Sequence, residues 1–256
     1  GGVVMDATSI HGTLVASAGW TPFATFLLFG AIFLALVVCS GLLMRNPPEA
    51  GHKTSQPLPL AAREVVADPR FRLLYLAMIA GLAAGFTVNA NLKELFPEGA
   101  VAAGVTAVAL FALANACGRV AWGALADRLQ PRHAIRLNLA GQAMVLLLSP
   151  LILVSDRGLW LYALLAGFHY GGVLVLYAAT VAGIWGHRHV GQVYGWLFSA
   201  NIPAALAPLA AGMLFDRTAS FTLPLQILGG LLVLAALFSA RLGRGPHHVT
   251  ELRESP

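Results

Sequence analysis

The sequence predicts an all-α polytopic membrane protein with about seven transmembrane helices, and three observations carry that reading. Of 256 residues, 58% are apolar and only 11% are charged, whereas an average soluble domain is about half apolar and about one-quarter charged. The mean hydropathy is +0.75. Apolar runs of the ~20 residues that cross a ~30 Å hydrocarbon core recur along the chain, each bounded by charge, Pro or Gly. A soluble protein of this size needs more polar surface than 16 basic and 11 acidic residues provide, which argues against a soluble enzyme, a nucleic-acid binder and a secreted disulfide scaffold. Cys39 and Cys117 lie inside apolar runs and read as small buried hydrophobes.

The spans follow in order. Residues 1–19 are apolar and Gly-rich but carry Asp6 and His11, so they read as the end of an incomplete helix and a loop reaching Trp20. No initiator Met opens the chain and no basic region precedes Met5, so the sequence reads as truncated at its N-terminus. The first span covers 22–44 and ends at Arg45-Asn46-Pro47-Pro48; the second, 72–92, follows Asp68-Pro69-Arg70 and stops before Lys93-Glu94. Between them, 45–71 is rich in Pro, Ser, Gln and charge and suits a linker, with room for a short helix near 61–67. The third span, 100–125, encloses Arg119 and is closed by Asp127-Arg128. The fourth runs 134–154, the fifth 159–185 to Gly186-His187-Arg188-His189, the sixth 191–215 to Asp216-Arg217, and the seventh 221–240.

Following the spans alternately puts twelve basic residues on the side of the linker and three, Lys93, Arg157 and Arg217, on the other. Lys and Arg accumulate in cytoplasmic loops. The linker and the C-terminus are therefore expected in the cytoplasm, the chain in the cell's inner membrane, and the +5 net charge needs no nucleic-acid partner.

The segment GRVAWGALADRLQPRHAIR, from Gly118, resembles the G-R-x-x-x-G-x-x-x-D-R signature between paired helices of the major facilitator superfamily. Gly19-Trp20, YGGVLVLYAATVAGIWG at 170–186 and GQVYGWLFSANIPAALAPLAAGMLFD at 191–216 add to it. Together they are similar to the oxalate:formate antiporter branch, which is related to monocarboxylate porters. The resemblance implies a twelve-helix fold of two six-helix halves, with a substrate held between the halves and exposed to alternate sides. It divides this chain into 1–44, the end of the fifth and all of the sixth helix of the N-terminal half; 45–71, the central cytoplasmic linker; 72–240, the six-helix C-terminal half; and 241–256, a cytoplasmic tail. The implied partners are a small organic anion, membrane lipid and the missing N-terminal half. No cofactor and no metal is called for, and the chain alone is not expected to transport.

Arg119 is the sharpest signal. An ionisable residue at bilayer depth costs at least ~2.5–3.5 kcal/mol on insertion scales, so it needs a polar cavity or a partner. Its guanidinium offers a fork of donors to a carboxylate, and in the resembling family the matching arginine contacts the substrate. The competing reading has it snorkel toward the cytoplasm, ~12 Å of helix rise from Asp127. Asn115 and Trp122 fall on the same helical face, offering an amide and an aromatic wall, although an intramembrane amide equally serves an interhelical hydrogen bond. Monocarboxylate porters carry an acidic residue at the position of Asn115, so that route of proton coupling is in question.

In oxalate exchangers the pattern after Tyr-Gly ends in Ala-Lys; here Tyr194-Gly195 leads to Ala200-Asn201. One fixed cation suits a monoanion better than a dianion, whose second carboxylate would be desolvated alone. Tyr170 and Tyr177, seven apart, share a face and could line the cavity or pack between helices; His169 could line it or bond a neighbour. Asn89 and Asn91 read as interface caps. Gly118, Gly123, Asp127 and Arg128 belong to the signature, whose loop influences the conformational switch in this superfamily. His187, His189, His247 and His248 lack converging ligands and read as surface residues.

Two other classes compete. A retinal protein would need an intramembrane lysine, and Lys53 and Lys93 both lie outside the spans. An intramembrane enzyme would need paired carboxylates, HExxH or a serine with a histidine partner. The expected function is secondary transport of small organic anions, monocarboxylates first, by exchange or proton symport; the alternative is a relative with an uncharged or different substrate in which Arg119 is structural.

Overall fold

The computed structural model describes residues 22–43, 60–96 and 101–240. The N-terminal stub, the first part of the linker and the tail 241–256 lie outside the described residues. Regular structure among the described residues is helical throughout. The chain divides into two units, 1–56 and 57–256. The first contributes α1, Pro22–Leu43, an uncharged helix of 22 residues, ~33 Å long at 1.5 Å per residue.

The second unit opens with α2, Ala62–Ala67, where the linker was expected to hold a short helix. Asp68 then caps α3, Pro69–Asn91: its carboxylate accepts from the Arg70 backbone N–H at 2.8 Å, and Pro69 fills the first turn, where no N–H is missed. The Arg70 guanidinium closes back on Asp68 at 2.8 Å and lies over the Trp185 ring at 5.9 Å. This cap is why the span begins three residues before the expected position 72.

α4, Val101–Leu129, is one helix of 29 residues that carries Asp127 and Arg128 into its last turn. Gln130 turns the chain at φ 68°, and Pro131 starts α5, Pro131–Leu147. The expected fourth span, 134–154, is in two pieces: Pro150 has no N–H to continue the ladder, and a short α6, Ser149–Ile152, follows. Six helical stretches among the described residues, His187–Thr218 taken as one, are long and apolar enough to cross a membrane, in keeping with the about seven expected. α7, Asp156–Trp185, is capped by Ser155, whose hydroxyl accepts from Gly158 N–H at 3.1 Å. It ends at Gly186, whose φ of 82° favours glycine.

The expected sixth span is broken into α8, Val190–Phe198, α9, Asn201–Ala204, and α10, Ala207–Thr218. Pro203 and Pro208 withdraw the N–H groups that Ser199 and Ala204 carbonyls would use. The Ser199 carbonyl takes the Ile202 N–H instead at 3.0 Å, and side chains serve two further carbonyls at the break: Ser199 Oγ donates to Trp196 at 2.8 Å and Asn201 Nδ2 to Phe198 at 2.7 Å. α11, Thr222–Ser239, completes the unit.

α4 and α7 make the most extensive contact. A Cβ on Gly167, Gly171 or Gly118 would collide with the carbonyls of Phe111, Asn115 and Phe168 respectively. In a bilayer both faces of a helix are apolar, so close approach of small residues decides which faces meet. Cys117, expected to be buried, is free and exposed on α4, because Gly118 and Ala114 take the packed face.

Candidate functional site

The site grows from α4 where it crosses α7. Arg119 and Asn115 are one turn apart, and Arg119 Nε donates to Asn115 Oδ1 at 3.1 Å. Gly171 lies against the backbone of both residues, so Arg119 stands on α4 where α7 packs against it. Arg119 is exposed. The ion pair found among the described residues joins Arg70 to Asp68, and no carboxylate pairs with Arg119.

Tyr170 precedes Gly171 on α7. Its ring sits over Gly85 of α3, stacks on Phe111 at 5.9 Å and meets Phe86 edge-on at 6.0 Å. Tyr194 of α8 donates its hydroxyl to the Leu174 carbonyl at 3.1 Å. Asn115 and Arg119 of α4 thus meet α7 next to Tyr170, through Gly171, while Tyr194 ties α8 to α7. Tyr194 was legible only as the start of a Tyr-Gly motif, and nothing in its spacing pointed to its bond to Leu174 on α7.

Other expected site residues lie elsewhere. Trp122, expected as a cavity wall, is only 4% exposed. It packs over Gly172 and against Phe168 and His169, at 5.9 and 5.5 Å between ring centres. Tyr177, expected beside Tyr170, is 1% exposed within the core. Both side chains therefore pack between helices in this structure, the alternative already open for Tyr177. Asn201 sits at the break after α8 with its amide on Phe198 and shares no hydrogen bond with Arg119. Asn91 bonds back to the Thr87 carbonyl at 2.9 Å.

In the signature, Gly118 is the crossing residue against Phe168, whereas a Cβ on Gly123 would make ordinary contact with Val175 at 3.4 Å. Asp127 and Arg128 are exposed at the end of α4. Arg128 suits the negative pole of a helix C-terminus and Asp127 opposes it.

A family model described as Major Facilitator Superfamily matches residues 7–201. The chain is 25% identical over 183 residues to the uncharacterized MFS-type transporter YhjX of Escherichia coli, covering 68% of this chain and 45% of that protein. It is 24% identical over 248 residues to the uncharacterized MFS-type transporter YcxA of Bacillus subtilis, covering 90% and 60%. It is 25% identical over 189 residues to the oxalate:formate antiporter of Oxalobacter formigenes, covering 72% and 45%. The chain spans about half the length of these relatives. With apolar helices long enough to cross a membrane, it is a multi-pass membrane chain of a non-enzymatic transporter family, and it belongs to the Major Facilitator Superfamily.

Proposed function

We propose that the protein carrying these residues is a secondary transporter of small organic anions, with monocarboxylates preferred, working by alternating access. The observation that supports this best is Arg119: a charged side chain on a spanning helix, without a carboxylate partner among the described residues and held through Nε by Asn115. An arginine on the face of a spanning helix needs a polar cavity or a partner, because a charge at bilayer depth is costly. Holding Nε aims the two terminal amino groups outward, the edge that receives a carboxylate through two parallel hydrogen bonds. Tyr170, which precedes the Gly171 that packs on the Arg119 backbone, adds an aromatic ring and a phenol donor close to the position.

The preference for a monoanion rests on Asn201, an amide where the exchanger pattern has lysine, and on Arg119 being the one basic residue in the interior of the third span, Arg72 and Arg136 standing at the starts of theirs. A second carboxylate would lose its hydration without a cation to replace it. A second six-helix half supplies the opposite wall, and the break between α8 and α10 gives the wall on this side a place to bend. The twelve-to-three distribution of basic residues supports an inner-membrane protein whose linker and C-terminus are cytoplasmic.

Uptake of labelled formate, lactate and oxalate by cells expressing the complete reading frame tests the proposal. Saturable uptake of the monocarboxylates, stronger than that of oxalate, is the expected result. Uptake no greater than in control cells for all three anions contradicts it.

A further inference from the structure

Leu60, just before α2, and Gln192, in the first turn of α8, lie 132 positions apart and share two hydrogen bonds. Leu60 N–H donates to Gln192 Oε1 at 3.2 Å, and Gln192 Nε2 donates to the Leu60 carbonyl at 2.9 Å. One side-chain amide thus serves both backbone groups of one residue, as a neighbouring strand would. The segment that follows is fixed to α3: Val65 of α2 is buried, Arg72 Nη2 donates to the Ala67 carbonyl at 3.1 Å, and Asp68 caps the helix. Through Leu60, Gln192 therefore ties α8 to a linker end that moves with α3.

Gln192 shares a helical face with Gly195, Trp196 and Ser199. At the far end of that face, ~10 Å along the helix, the hydroxyls of Ser199 and Tyr75 meet at 3.2 Å. Between the two attachments lies a cavity of about 580 Å³, with Val66 of α2, Phe71 and Leu76 of α3, and Gly195 and Trp196 of α8 in its walls. A Cβ on Gly195 would meet nothing within 4 Å. A nine-residue helix is thus held across an apolar space at both ends of one face, and its chain then runs into the break that precedes α10.

Apolar walls that face a space lack dispersion partners, so a tilt of α8 toward α3 gains contact. The break lets α8 tilt without carrying α10 along, and Tyr194, held on the Leu174 carbonyl of α7, supplies a pivot on another face. The Gln192 amide opposes the tilt. Because both of its bonds go to one residue, they are lost together. We propose that the Gln192–Leu60 clamp is a conformational latch: closed, it holds α8 off α3, and open, it lets α8 close over the cavity, so that the docked linker sets the balance between two positions of the broken helix during transport.

This inference rests on the transport reading, and the test separates the two. The complete protein is purified in detergent with its other cysteines replaced by alanine and with Gly195→Cys as a thiol on the cavity wall, whose alkylation rate by a maleimide reports the open cavity. Gln192→Leu keeps the bulk and removes both hydrogen bonds, and should slow alkylation by at least about fivefold, the scale of two net hydrogen bonds. An unchanged rate, or a faster one as in a loosened fold, overturns the latch. Should Gln192→Leu fail to assemble, Leu60→Pro, which removes the N–H on the linker side and leaves α8 intact, decides in the same assay: slower alkylation supports the latch, and an equal or faster rate overturns it. In proteoliposomes, Gln192→Leu should lower lactate counterflow by at least about threefold, and unchanged counterflow overturns the role in transport. Absence of wild-type counterflow overturns the anion-transport reading, while the alkylation rates still decide the latch.

Discussion

Arg119 and Asn115 form a one-turn pair on α4 in which the amide oxygen holds Nε at 3.1 Å, and Gly171 of α7 lies against the backbone of both. The amide fixes the plane of the guanidinium without neutralising it. A carboxylate in its place would fix the plane and cancel the charge. Asn115→Ala should therefore raise KM about tenfold, the scale of one hydrogen bond to a charged group. Asn115→Asp should raise it further, because an internal carboxylate competes with the substrate. Concentration-dependent uptake measures both, and equal KM values in all three proteins would remove Asn115 from the site.

The crossing of α4 and α7 is predicted to tolerate no added methyl group. Gly171→Ala drives a Cβ into the Asn115 carbonyl and Arg119 N–H, where backbone must move. A loss of about 1–3 kcal/mol of stability is expected, as for overpacked cores. Gly183→Ala on the same helix meets nothing within 4 Å and should be neutral or gain up to about 1 kcal/mol of helix propensity. Melting of the purified variants in detergent compares them.

The two tyrosines of α7 should separate. Tyr170 is half-buried beside Arg119, whereas Tyr177 is sealed in the core. Tyr170→Phe is expected to change KM for a monocarboxylate with little effect on folding, and Tyr177→Phe to leave KM unchanged. Uptake kinetics on matched expression levels check the pair.

These tyrosines mark where the sequence stops being informative. Runs of about twenty apolar residues between charges located the helices, because the hydrocarbon core imposes that length. Arg119 stood out because charge is costly there. Pro203 and Pro208 were visible in the sixth span, but whether a proline kinks or interrupts a helix depends on what replaces the lost bonds, here the Ile202 N–H at the Ser199 carbonyl. The inward faces of Trp122 and Tyr177 were not legible, since lipid-facing and core-facing positions of a membrane helix are equally apolar. Tyr194 was hidden for a related reason: its bond to the Leu174 carbonyl is set by the packing of α8 on α7, which no local spacing encodes.

Asn201 bears on substrate charge. Asn201→Lys places an ammonium at the break after α8, near bilayer depth, and should shift preference toward oxalate relative to lactate by about tenfold or more, the scale of a paired charge. Competition of each anion against labelled lactate gives the ratio. An unchanged ratio would show that position 201 does not sense the second carboxylate.

The central claim is that the Arg119 fork binds the transported carboxylate. The most direct measurement is lactate counterflow by proteoliposomes of the complete protein with Arg119, Arg119→Lys and Arg119→Ala, each verified as monodisperse. The account predicts that Arg119→Lys loses most of the transport, because an ammonium keeps the charge but cannot present two parallel donors from the same stem, and that Arg119→Ala loses essentially all. Wild-type counterflow in Arg119→Ala would contradict it and return the arginine to a structural role.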